Sequence, residues 1–100
     1  MTYLFSYGTL CDIKVQDAVF GRKLEGCADI LPSYQLSESK AYGRYPVLIK
    51  ANDASKKISG KIFELEEWEL KLADAYEGPE YKRIKVELES GKIAWLYIGT

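Results

Sequence analysis

One hundred residues suffice for a single hydrophobic core but not for a second domain, and 47% hydrophobic with 13% aromatic content rules out a disordered chain. The charges nearly cancel, 14 Lys and Arg against 15 Asp and Glu for a net charge of −1, so the basic field that a nucleic-acid binder needs is missing. There is no histidine, which excludes Ser–His and Cys–His catalysis and the usual zinc sites; a general base must come from Asp, Glu, Lys or Tyr.

Thr2–Tyr7 is aromatic and alternates Tyr3, Phe5 and Tyr7 with Leu4 and Ser6, the pattern of an internal strand. Gly8 breaks it, Asp12 is placed to cap a short helix running to Phe20, and Gly21 ends that helix. Lys23–Leu36 reads as one long or bent strand with irregularities at Gly26 and Pro32, and Ser37–Tyr45 as a polar loop. Pro46–Ala51 is a short strand, Asn52–Asp53 a turn, and Lys57–Leu65 a returning strand in which Gly60 allows close backbone approach.

Leu65, Trp68, Leu72 and Tyr76 recur at helical spacing, predicting a helix over Glu66–Tyr76 with these residues toward the core and Glu66, Glu67, Lys71 and Asp74 outward. Gly78 and Pro79 stop it. Tyr81–Glu89 alternates cleanly, Ser90–Gly91 turns, and Ile93–Ile98 pairs back as a hairpin. The expectation is a single α+β domain over residues 1–100, a small, mixed, mainly antiparallel, β-barrel-like sheet with two short helices.

The cysteines, Cys11 and Cys27, are too few for a disulfide scaffold. No secretory leader and no membrane-length apolar run is visible, so the setting expected is cytoplasmic, with both thiols reduced and half-buried. Cofactor fingerprints such as G-x-G-x-x-G are absent from the sequence, and the run Glu64, Glu66, Glu67, Glu69 reads as helix-start acids rather than metal ligands. The reading thus assigns no metal and no cofactor.

Two segments carry chemistry. Tyr7-Gly8-Thr9-Leu10 joins a strand to a helix, where a glycine admits a ligand and nearby amides attract anions; an ordinary turn has the same appearance. Glu77 closes the second helix, where the macrodipole disfavours a negative charge. Shielding by Tyr76, Tyr81 and the sheet would raise its pKa into the range of a general base, whereas a solvated glutamate at a frayed end would do nothing. Tyr81 and Arg83 share a strand face, Tyr81 toward a ligand or Glu77 and Arg83 toward an acidic partner. Arg44-Tyr45-Pro46 stands at a corner that fits a pocket rim or a plain turn.

Taken in order, Tyr7-Gly8-Thr9-Leu10, Tyr45-Pro46-Val47-Leu48, Ile58-Ser59-Gly60-Lys61-Ile62-Phe63 and Leu72-Ala73-Asp74-Ala75-Tyr76-Glu77-Gly78 followed by Tyr81-Lys82-Arg83 resemble the gamma-glutamylcyclotransferase-like family from Tyr3 to about Tyr97. The resemblance implies a compact fold with a cavity and an enzyme that converts a gamma-glutamyl amine to 5-oxoproline and free amine. By it, Tyr7, Gly8, Thr9 and Leu10 hold the glutamyl moiety, Glu77 is the acid/base, and Tyr45 and Tyr81 wall the cavity. The partner implied is a small gamma-glutamyl molecule, with no nucleic acid and no membrane. The alternatives are a binding module that keeps the cavity without turnover and an interaction domain using a strand edge.

Overall fold

The structure is a computed structural model that describes residues 1–41, 45–53 and 55–99, with 38–41 and 45–47 described by backbone alone. The chain runs β1 (Thr2–Ser6), a 3-10 turn (Thr9–Cys11), α1 (Ile13–Phe20), β2 (Gly26–Pro32), β3 (Tyr34–Ala41), β4 (Tyr45–Lys50), β5 (Lys57–Leu65), α2 (Glu69–Glu77), β6 (Tyr81–Glu87) and β7 (Ile93–Gly99). The main sheet has the order β2-β5-β1-β7-β6, and β3-β4 form a separate ribbon. Among the described residues every pairing is antiparallel except β1 with β7.

β1 lies at the centre because both its faces are apolar. Leu4 packs with Leu10, Phe20, Phe63, Leu65 and Leu70 under the helices. Phe5 packs on the opposite side with Leu31, Leu48, Ile62 and Leu96. A strand clothed on both faces cannot be an edge, so the alternation fixes its position as well as its type.

The sheet is open, which corrects the barrel-like expectation. It curls enough for Glu89 N to donate to Ile30 O at 2.9 Å and Ser90 Oγ to Asp29 Oδ2 at 2.6 Å, but no ladder joins the outer strands β2 and β6. A closed barrel needs continuous pairing around the ring.

The single strand expected over Lys23–Leu36 is two strands. Pro32 brings no amide, and Ser33 turns the chain with φ 65°. Ser33 N donates to Lys56 O and Ser33 O accepts from Ala51 N, both at 2.8 Å, so the turn is pinned on both sides. β3 then continues to Ala41, into the stretch read from sequence as a loop; residues 42–44 of that stretch lie outside the described residues.

Asp12 caps α1 through Lys14 N at 2.8 Å, and Gly21 ends it with φ 71°, as the sequence predicts. The second helix departs from expectation. It begins at Glu69, and its buried residues are Glu69, Leu70 and Ala73, whereas Trp68 is 63% exposed and Leu72 and Tyr76 are also exposed. Glu69 sets this phase. Its carboxylate takes Arg22 Nε and Nη2 at 3.0 and 2.7 Å and reaches back to Glu66 N at 2.9 Å, a charged anchor that outranks the apolar stripe. The glutamate run is therefore structural at Glu69. Among the described residues no helix is long and apolar enough to cross a membrane.

Candidate active site

The site grows from the point where β1 stops. Gly8 N lies 3.3 Å from Ser6 Oγ, which accepts from it. The 3-10 turn then forms its own bonds, Cys11 N to Gly8 O and Asp12 N to Thr9 O, each 3.0 Å. The amides of Thr9 and Leu10 precede the first of these donors and belong to the start of the turn, where no intrahelical carbonyl is available. Leu10 is 1% exposed and roots the turn in the core by its side chain.

Two devices hold this segment, and the sequence reading did not single them out as site residues. Gln16 Nε2 donates to Leu10 O and Gln16 Oε1 accepts from Leu24 N, both at 2.9 Å. Its position four residues before Phe20, on the inner face of α1, is the signal that would have found it. Gly60 is the second. A Cβ there would stand 2.5 Å from Ser6 O and 2.7 Å from Phe5 Cζ, so only glycine lets β5 lie against the end of β1.

The turn forms one wall of a cavity of about 190 Å³ whose lining also includes Tyr76 and Glu77 from α2, Tyr81 from β6 and Tyr97 from β7. Of the residues expected in the site, Tyr7, Gly8, Thr9, Leu10, Glu77 and Tyr81 meet here. Tyr45 begins β4, and its side chain, like the expected rim at Arg44-Tyr45-Pro46, lies outside the described residues.

Glu77 is half-buried at the last position of α2. Burial raises its pKa from 4.5 to about 7, because desolvation penalises the charged form. Burial likewise pushes the Tyr7 phenol up, aided by the nearby Tyr81 and Glu77, so Tyr7 stays protonated at neutral pH. Tyr76 does not enter the core. Its hydroxyl shares a hydrogen bond of 2.6 Å with Thr9 Oγ1 at the cavity rim.

Asp74, expected to lie largely outward, has a side chain that is 41% exposed and also gathers a network. Arg83 Nε donates to its Oδ1 at 2.8 Å and Arg83 Nη2 to its Oδ2 at 3.0 Å, and the Tyr97 hydroxyl donates to Oδ1 at 2.6 Å. Burial raises the Asp74 pKa, but the hydrogen bonds from Arg83 and Tyr97 outweigh it and hold the group below its ordinary value. The Tyr97 phenol is pushed up by burial first and then by Asp74. The acidic partner expected for Arg83 is thus Asp74. Of the thiols, both are free, with Cys11 half-buried and Cys27 exposed rather than half-buried.

A half-buried carboxyl near neutral pKa, faced by a glycine-opened turn with amides at its start, can move a proton beside a polarised carbonyl.

The family described as gamma-glutamyl cyclotransferase, AIG2-like, matches residues 4–100. Among solved structures, an Arabidopsis thaliana protein known in solution superposes with a TM-score of 0.83 at 23% identity, covering 98% of this chain and 61% of that one. A second Arabidopsis thaliana protein gives 0.79 at 26% identity, covering 98% and 68%. A gamma-glutamyl cyclotransferase gives 0.82 at 16% identity, covering 99% and 66%. The chain therefore spans 61% to 68% of the length of these solved relatives. No curated protein matches it. The likeness of fold agrees with the family match, which extends over almost every residue, and the chain belongs to the AIG2-like gamma-glutamyl cyclotransferase family.

Proposed function

We propose that this protein cyclises a small gamma-glutamyl amine to 5-oxoproline, releasing the free amine, with Glu77 as general acid and base. The observation that carries this reading is the Glu77 carboxyl, half-buried in the cavity wall with a pKa of about 7. A base poised there is ionised often enough to accept a proton and protonated often enough to return one.

The substrate supplies its own nucleophile. Glu77 takes a proton from the α-ammonium, and the amine nitrogen attacks the side-chain carbonyl carbon, forming the ring C–N bond. The tetrahedral intermediate collapses as the leaving nitrogen takes the proton from Glu77 and its bond to carbon breaks; the regenerated Glu77 carboxylate then takes the second proton from the ring nitrogen and passes it to the freed amine, which leaves as an ammonium. Atoms balance without water, metal or cofactor. Folding the substrate into attack geometry removes much of the barrier, and positioned proton transfer typically adds about 10²–10⁴-fold.

In this reading the amides of Thr9 and Leu10 hold a carboxylate or the developing oxyanion, Gly8 keeps the approach open, and Tyr7 donates from its neutral phenol. Tyr81 walls the cavity, and Tyr45 is assigned the same role. Residues 1–100 act as one domain, and the free thiols of Cys11 and Cys27 support a reducing, cytoplasmic setting.

The test is 5-oxoproline release from a panel of gamma-glutamyl amines, comparing wild type with Glu77→Gln at matched folding. Turnover lost in the variant supports the reading. Turnover that survives removes Glu77 from the mechanism, and a cavity that binds the panel without turning it over removes the reaction.

A further inference from the structure

Asp74 and Arg83 stand behind the cavity rather than in it. Tyr81 and Tyr97 line the cavity that contains Glu77, and the same two tyrosines line a neighbouring hollow that contains Asp74 and Arg83. Asp74 also precedes Glu77 by three residues on α2, so the two carboxyls lie on adjoining parts of one helix face.

We propose that Asp74 is a positioning residue for the Glu77 carboxyl: by holding Arg83 and the Tyr97 hydroxyl together, it offsets the Arg83 cation behind Glu77 and keeps Tyr97 in a single orientation. The inference rests on the reading of Glu77 as the acid/base, and its test is arranged so that the two fail separately.

Arg83 is held on two sides. Its guanidinium meets Asp74 through two parallel hydrogen bonds and lies over the Trp95 ring at 4.4 Å. With the ring fixing its flat face, the cation stays in the wall when the carboxylate is removed. Tyr97 is 6% exposed and its hydroxyl donates a hydrogen bond to Asp74 at 2.6 Å, so the phenol cannot rotate toward Glu77 without breaking a charge-assisted bond.

The sign of the effect follows from charge alone. Glu77 shares its cavity with Tyr7 just after β1, Tyr76 on its own helix, Tyr81 on β6 and Tyr97 on β7; the neighbouring hollow adds Asp74 on α2 with Lys82 and Arg83 on β6, and Glu80 lies in the turn before β6. Just after α1, Arg22 is committed to Glu69 at the far end of α2. Burial keeps the Tyr7 and Tyr97 phenols neutral near pH 7, and the paired Asp74 and Arg83 offset each other in the neighbouring hollow. Removing Asp74 leaves a cation that favours ionised Glu77. Removing Arg83 leaves an anion that opposes it.

The test reads Glu77 itself in the full chain, by carboxyl carbon NMR titration, with the resonance assigned by its loss in Glu77→Gln. The wild-type midpoint is expected at about 7. Asp74→Asn keeps an oxygen for Tyr97 but lowers the midpoint by about half a pH unit or more, the scale of a partly screened unit charge. Arg83→Gln raises it by a similar amount. Combining Asp74→Asn with Arg83→Gln brings it back toward wild type. Single-variant shifts of the same sign, no shift, or a double variant that fails to recover would each overturn the proposal. Should Asp74→Asn not fold, Arg83→Gln and the double variant still decide it, and a merely structural role predicts no opposed shifts. Glu77 shifts of the expected sign, combined with turnover insensitive to Glu77→Gln, would uphold the role of Asp74 and discard the proposed reaction.

Discussion

Thr9 and Tyr76, 67 residues apart in sequence, share a hydrogen bond of 2.6 Å that ties the turn after β1 to the last turn of α2 across the cavity rim. Either hydroxyl can donate, and both residues are exposed, so the bond contributes about 1 kcal/mol or less.

Tyr76→Phe removes that bond while keeping the ring. Its melting temperature is expected within about 5 °C of wild type. If the rim orders the cavity for substrate, KM for a gamma-glutamyl amine rises several-fold while kcat changes little. Calorimetry and initial-rate kinetics check both, and an unchanged KM would make the bond a surface ornament.

Glu77 ties stability to pH. Its folded pKa of about 7 lies above the ordinary value of 4.5, so the folded protein binds more protons than the unfolded chain between those values. The contribution is fully present below 4.5 and is lost as pH rises through about 7. Glu77→Gln, which cannot ionise, is expected to melt above wild type at pH 8, with the gap closing toward pH 5. A pH series of thermal melts on the two proteins reads this directly.

Gly60→Ala places a Cβ 2.5 Å from Ser6 O. Backbone cannot swing away as a side chain can, so β1 must move near the cavity. We expect a loss of about 1–3 kcal/mol in urea unfolding, with weakened binding of any gamma-glutamyl ligand. Gly8→Ala, where a Cβ meets nothing within 4 Å, is expected to lower stability far less.

The Arg22–Glu69 pair anchors α2. The Glu69 side chain is 2% exposed and that of Arg22 42%, so Arg22→Ala strands a buried carboxylate. The expected loss is about 1–3 kcal/mol. Hydrogen bonding from Arg22 chiefly holds the Glu69 pKa below 4.5, so this stabilisation is present above 4.5 and lost as pH falls through the depressed value. The gap between wild type and Arg22→Ala in denaturant midpoint should therefore narrow on acidification.

Local chemistry in the sequence determined much of this protein. Alternation in Thr2–Tyr7 and Tyr81–Glu89, the Asp12 cap, the glycine stops at Gly21 and Gly78, and the hairpin before Ile93 depend on neighbours a few residues away, and they stand where expected to within two residues. The position of Glu77 at a helix end was legible for the same reason. What tertiary structure decided were relations between distant charges and surfaces. The phase of α2 turned on Arg22, 47 residues from Glu69, which periodicity cannot see. Asp74 lies largely outward as its spacing predicts, but its partners Arg83 and Tyr97 came only with the packing of β6 and β7. The strand break at Ser33 came from hydrogen bonds to Lys56 and Ala51, and the sheet stayed open because its outer strands form no ladder. Periodicity records which face a residue prefers, whereas an ion pair or a cavity wall exists only once separate elements have packed.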